Sequence, residues 1–237
     1  MSRGGRRPAD TIGGMSGVSL GVAIGVMLSA ACLGCQRRAI DSSTTSSAPV
    51  PQSRPRDLTS LPRAKVTLAQ RTDWRRHLLW PDDCEEGFRA SHAGDDGGIR
   101  VVLLGAGVSL VEVTCAAGAY QPSTMRFALT EDANGARTRP LVFPVYTSDD
   151  GRSLTLSNQA EVWGDSVVNG AAAEIAILSL ARQTADCGVW ARYSLTGDQP
   201  RLLAAAARTR CPASPGPPAS VSGSGPPPGW ATIPGKD

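Results

Sequence analysis

Four cysteines, Cys84, Cys115, Cys187 and Cys211, punctuate the stretch of this chain that carries sustained β-like patterning. Whether they are thiols or disulfides decides what that stretch can fold into. The N-terminus bears on the compartment. Arg3, Arg6 and Arg7 form a positive start, an apolar run follows from Val18 to Leu28, and Ser29-Ala30-Ala31 leads into Cys32. That order is the layout of a secretory signal peptide. It predicts a signal over residues 1–31 and places the remainder outside the cytoplasm.

The small residues before Cys32 resemble the bacterial lipobox, in which cleavage frees a cysteine that carries a thioether-linked diacylglycerol. Leu28 stands four positions before Cys32, where the motif has its leucine at three. Cys35, preceded by Leu33-Gly34, is the alternative lipid site. The expected partner of this end is therefore a membrane, through a diacylglyceryl anchor. A second reading is an uncleaved anchor, because no charge occurs from Thr11 to Gln36. Two motifs here lack the setting their chemistry needs. Gly17-Val18-Ser19-Leu20-Gly21 spells a nucleophile elbow without a strand and helix around it. Cys32-Leu33-Gly34-Cys35 spells a redox pair across the expected cleavage point.

Export turns the four remaining cysteines into two disulfides. Zinc is the rival use, but no CxxC remains past the signal region and the only histidines are His77 and His92. No metal or other cofactor is expected. Of the three pairings, strand register favours one. Val189–Leu195 and Arg201–Ala206 fold back at Thr196-Gly197-Asp198-Gln199, which brings Cys187 near Cys211 and leaves Cys84 for Cys115. Each bridge closes a loop of a few tens of residues and stabilises by about 3–4 kcal/mol on chain-entropy grounds.

The chain reads as four segments. Residues 32–65 are an anchor region and a Ser/Thr/Pro-rich linker, and residues 66–211 form one disulfide-bonded β-rich domain. Residues 212–237, rich in Pro, Gly and Ser, read as a disordered tail in which Trp230 is solvated, with a weak docking peptide as the alternative. Within the domain, Ile99–Leu104 and Val108–Val113 flank Gly105-Ala106-Gly107 and predict a hairpin. Further short strands are predicted at 124–129, 141–143, 153–156, 175–180, 189–195 and 201–206. Ala204–Ala207 also permits a helix. The one clear helical candidate, 82–90, follows Pro81 and opens with carboxylates. The expected fold class is mainly β (or α+β): an antiparallel sheet or sandwich with one short helix and two disulfides. Asp132-Ala133-Asn134-Gly135 is a turn signal rather than a calcium loop, since the other ligands are missing.

Around the cysteines the chain resembles the domain of unknown function 1176 family of bacterial envelope proteins. The segments that carry the resemblance are Leu110 to Gln121 (with Cys115, Gly118, Ala119 and Tyr120), Pro140–Pro144, Ala185–Trp190 and Trp80–Cys84. It spans about Trp80 to Cys211. It implies an exported domain and assigns no activity. One departure is Gln183-Thr184-Ala185, where a glycine-bearing stretch is expected. Gly118 and Gly188 suit positions of positive φ or close backbone approach. Tyr120, Trp163 and Trp190 read as core or half-buried sheet residues.

No nucleophile, base and orienter stand at a recognisable spacing. Asp82, Asp83, Glu85 and Glu86 read as a solvated acidic helix start. The net charge of +3 owes much to the N-terminal arginines, and no basic stripe interleaved with aromatics occurs later, so nucleic acid is not an expected partner. The favoured function is a non-catalytic binding or accessory module of the envelope, with an envelope protein or the cell wall as partner. The alternative, a cell-wall-directed hydrolase, requires a carboxylate or histidine such as Asp186, Glu112 or His77 in a cleft.

Overall fold

In a computed structural model of the chain, residue 61 and residues 63–105, 107–133, 135–148, 153–214 and 216–234 are described. Cys32, Cys35 and the signal segment lie outside them. The described residues form two helices and twelve strands in antiparallel sheets.

The first sheet is a meander. Strands β1 (Ile99–Gly105), β2 (Val108–Ala116), β3 (Ser123–Asp132) and β4 (Gly135–Pro140) pair in sequence order. The hairpins turn at the predicted glycine-bearing sites, 105–107 and 132–135. A three-residue strand, β7 (Glu161–Trp163), adds to the N-terminal end of β3. The second sheet runs in the order β12 (Ala231–Ile233), β11 (Arg201–Arg208), β10 (Gly188–Ser194), β9 (Glu174–Leu180), β8 (Asp165–Asn169). Strands β5 (Phe143–Thr147) and β6 (Thr155–Gln159) make a separate hairpin. Ala204–Ala207 is strand, not helix.

Alternation explains the layers. On one face of the first sheet Val111, Val113, Cys115, Phe127 and Leu129 cluster with Trp74, Leu78 and Cys84 of the helices. On the other face Leu110 and Ala128 join Ile175, Ile177, Ala191, Tyr193 and Ala205 of the second sheet. Covered on both sides, β2 and the first part of β3 are buried almost continuously instead of alternately.

Helix α2 (Asp82–Ser91) is the expected one. Helix α1 (Leu68–Leu78) is not. Its buried positions are Arg71, Trp74 and Leu78, so an arginine occupies the inward stripe and masks the apolar period. Its start is nevertheless written in the chain: Thr67 and Gln70 form a capping box, with the Thr67 backbone N–H donating to Gln70 Oε1 at 2.9 Å. The acidic start of α2 is not wholly solvated either. Glu85 is buried and accepts hydrogen bonds from Arg71 Nε at 2.8 Å and Trp80 Nε1 at 3.1 Å. Arg71 further donates to Gly97 O and Thr114 O and lies over the Phe88 ring. The helix pair is thus fastened to the sheet by a buried ion pair beside the Cys84–Cys115 disulfide.

Both disulfides have the expected pairing, Cys84–Cys115 and Cys187–Cys211. They mark a domain that folds in an oxidising, non-cytoplasmic compartment. Among the described residues no helix is long and apolar enough to cross a membrane.

The domain is longer than 66–211 at both ends. Leu61 is buried in the helix-side cluster, and Arg63 pairs with Glu131. The tail differs from the expectation: residues 231–233 pair with β11, and Trp230 is buried rather than solvated. Its composition offers no core of its own, but the second sheet lends it one. Ala176, Leu178, Trp190 and Ala206 leave an apolar face that Trp230, Ala219 and Val221 cover.

Gly188, at φ 151°, faces the Ser179 carbonyl so closely that a Cβ would lie 2.1 Å from it, which requires glycine. Ala185, in the segment where a glycine is expected, has φ 58°. A left-handed conformation costs a non-glycine residue about 1–2 kcal/mol. Ala185→Gly is therefore expected to raise stability by about 0.5–1 kcal/mol, the relief of strain being partly offset by unfolded-chain entropy. Urea denaturation at fixed m-value measures it, and an unchanged or lowered midpoint would contradict the strain.

Candidate functional site

Glu112 sits mid-strand in β2, and register sets an arginine opposite it on each neighbouring strand, Arg100 on β1 and Arg126 on β3. The three side chains form one row. Glu112 Oε2 accepts from Arg100 Nε at 2.6 Å. Glu112 Oε1 accepts from Arg126 Nε at 3.0 Å and from Ser166 Oγ, on β8, at 2.8 Å. A single carboxylate therefore ties three strands of the first sheet to the edge of the second.

Burial alone pushes the Glu112 carboxyl up and the Arg126 guanidinium down, because each charge has left water. For Glu112 the Arg126 and Arg100 charges and the Ser166 hydroxyl outweigh burial, so its carboxyl is held below the ordinary glutamate range. Arg126 is 1% exposed, its Nη2 has no acceptor among the described residues, and its guanidinium lies 5.6 Å from the Phe143 ring centroid.

Arg100 and Glu112 of this row, with Ser166, form one wall of a cleft of about 330 Å³, and Arg126 lies buried behind it. The cleft is lined by Asp96, Arg100, Glu112, Thr114, Thr124, Asp165 and Ser166, with Gly98, Ile99, Pro122 and Gly164 between them. Gln121 fixes the Asp165 side. Its Nε2 donates to Asp165 Oδ2 at 3.0 Å and to Leu178 O at 2.7 Å, and its Oε1 accepts from Leu180 N at 2.7 Å. Asp96 Oδ1 accepts from Gly98 N at 2.8 Å. The cleft thus presents oriented carboxylate acceptors, an arginine donor and hydroxyls that do both. Such a mixture suits a ligand that itself both donates and accepts, as a polyhydroxyl compound does. Among the described residues no group of three or more His, Cys, Asp or Glu side chains is placed to hold a metal.

The three sequence candidates are not brought together. Glu112 alone lines the cleft. Asp186 lies in the turn between β9 and β10, sealed by Arg182, Thr184 Oγ1 and the Gly216 N–H, which hold its carboxyl well below the usual range. His77 ends α1, and its carbonyl accepts from Thr138 Oγ1. Trp190 is core, as expected, whereas Tyr120 and Trp163 are 46% and 51% exposed. Their neighbours took the inward places: Gln121 beside Tyr120, and Val162 on the short strand that ends at Trp163. Arg100, Arg126, Gln121 and Ser166 carry no local sequence signal of a site. A charged residue at the same alternation phase in three successive strands was the available signal, but it becomes visible only once register is known.

Glu112→Gln leaves Arg126 buried without a counter-charge and is expected to destabilise by about 3–5 kcal/mol. The pH dependence follows in sign. A carboxyl held low in the folded state contributes stability that is complete above the unfolded value, about 4.3, and is lost as pH falls through the lower folded value. Wild-type stability should therefore fall below about pH 4, and Glu112→Gln should fall by less over the same interval. Denaturant titrations from pH 7 to pH 3 check both, and parallel pH profiles would remove Glu112 from the account.

No curated protein and no solved structure matches this chain. A family model does, over residues 37–219, well over half of the sequence. The match covers the described first sheet, the cleft and both disulfides, and reaches into the covering tail. The chain belongs to the family described as a protein of unknown function, DUF1176.

Proposed function

We propose that this chain is an exported lipoprotein, anchored through Cys32 with Cys35 as the alternative, and that it serves the cell envelope as a non-catalytic binding module whose ligand enters the polar cleft. The disulfides support the exported half of the reading. The state of Glu112 carries the binding half. A hydrolase acid must hold a proton near neutral pH, and Glu112 is the buried carboxylate of the cleft, yet two guanidinium groups keep it ionised. It shapes the wall and gives up no proton. The ligand class that fits the remaining donors and acceptors is a polyhydroxyl one, and cell-wall glycan is its form in the envelope.

Two experiments test the two halves. Radiolabelled fatty acid is expected in the full chain and absent from a Cys32→Ser, Cys35→Ser double variant; label that persists in the double variant removes the anchor. The full chain is expected to co-sediment with purified sacculi, and Asp165→Arg, which fills the cleft with a cation, should raise the apparent Kd about tenfold, the change that about 1.4 kcal/mol produces. Sedimentation indifferent to Asp165→Arg would empty the cleft of this role, and release of soluble muropeptides would turn the reading to a hydrolase.

A further inference from the structure

The outer face of the second sheet is covered by the chain's own C-terminal segment, and the covering has the chemistry of a peptide in a receptor. The described residues between 212 and 230 contribute neither helix nor strand. Among the described tail residues, Ala231, Thr232 and Ile233 pair with β11, opposite Ala207, Ala206 and Ala205. Ahead of them the Trp190 indole Nε1 donates to the Ser222 carbonyl at 3.0 Å. Trp230, 8% exposed, clusters with Ala176, Leu178, Trp190 and Ala206. Small side chains on the strands leave a trough that a large one from the tail fills.

Two recognition devices act together here. One is strand addition to a sheet edge, the other an indole N–H reading the carbonyl of an extended, proline-rich segment. Neither needs the segment to belong to the same molecule. Between Thr209 and Trp230 the chain carries seven prolines, with glycines and serines among them. A connector of that composition stays extended and does not fold on its own. Its contacts are the same whether made in one copy or between two, so exchange replaces each contact with its equal.

We propose that this face is an exchangeable peptide site, filled by residues 212–234 of its own chain and open to the same segment of a second copy, so that two copies bind by trading tails. The alanine-rich pattern of β11 keeps the trough open: larger residues at 204 and 206 would fill it. Occupancy in trans competes with occupancy in cis, so apparent affinity is reduced by the fraction of time the trough is filled by its own tail.

The probe is a fluorophore-labelled synthetic peptide of residues 212–234, added to the oxidised full chain and followed by anisotropy. Wild-type chain is expected to bind it. A full-chain Trp230→Ala variant, whose own tail competes less well, should bind it at least about tenfold more tightly. A Trp230→Ala peptide should bind the same chains at least about tenfold more weakly. A folded Trp230→Ala chain with no affinity for the peptide overturns the site, as does binding indifferent to the peptide's tryptophan. Should that chain variant not fold, sedimentation velocity on wild-type chain decides the matter. A dimer that grows with concentration and is dispersed by excess peptide supports the exchange. A monomer throughout, or a dimer that excess peptide leaves intact, overturns it.

Discussion

An arginine lies buried on each face of the first sheet, and neither could stay there without a glutamate. On the helix side Arg71 pairs with Glu85 at 2.8 Å, and on the inter-sheet side Arg126 pairs with Glu112 at 3.0 Å. Taking a charge out of water costs several kcal/mol per ion, and pairing recovers that only with good geometry and satisfied hydrogen bonds. Both sites recruit neighbours from other elements, and the Arg71 site is the better satisfied, since Arg126 Nη2 finds no acceptor among the described residues. Arg71 reaches two backbone carbonyls and two aromatic rings; Glu112 takes Arg100 and the Ser166 hydroxyl. Helices, first sheet and second sheet are consequently joined by polar contacts with demanding geometry as well as by apolar packing, which tolerates more variation.

The elements written in local chemistry were legible. Turn residues, β-branched runs and the carboxylate-rich start of α2 placed most strands and one helix, and the cysteine count with the β10–β11 turn gave the disulfide pairing. What stayed hidden depended on contacts between distant segments. Helix α1 hid because its inward stripe includes Arg71, which counts as polar in any periodicity. The tail hid because its apolar residues are too few to make a core and need the face of β9, β10 and β11 to complete one. The cleft hid because Arg100, Glu112 and Ser166, and the Arg126 that backs Glu112, lie on four strands, and only register makes them neighbours.

The second sheet shows how a chain poor in aromatics covers a wide surface. One of its faces packs on the first sheet through Ile175, Ile177, Ala191 and Tyr193, with Tyr193 Oη donating to the Pro144 carbonyl at 3.0 Å. The other face offers Ala176, Ala206, Leu178 and Trp190, and a returning segment completes it. The Cys187–Cys211 bridge fixes where that segment departs, and Arg182 and Arg208 hold its course through hydrogen bonds to Pro212 O and Gly229 O.

The Arg100–Glu112–Arg126 row also guards against misassembly. Strands β1, β2 and β3 are rich in interchangeable Val, Leu and Ala, and such strands pair almost as well when slipped. A slip that turned β2 over would drive Glu112 among Trp74, Leu78 and Cys84 and bring Val111 and Val113 to the opposite side. A slip of two residues would keep the faces but set Arg126 against Leu110 or Thr114, a buried cation with no anion beside it. The carboxylate penalises each wrong pairing more heavily than any lost apolar contact would, so one glutamate specifies the alignment of three strands.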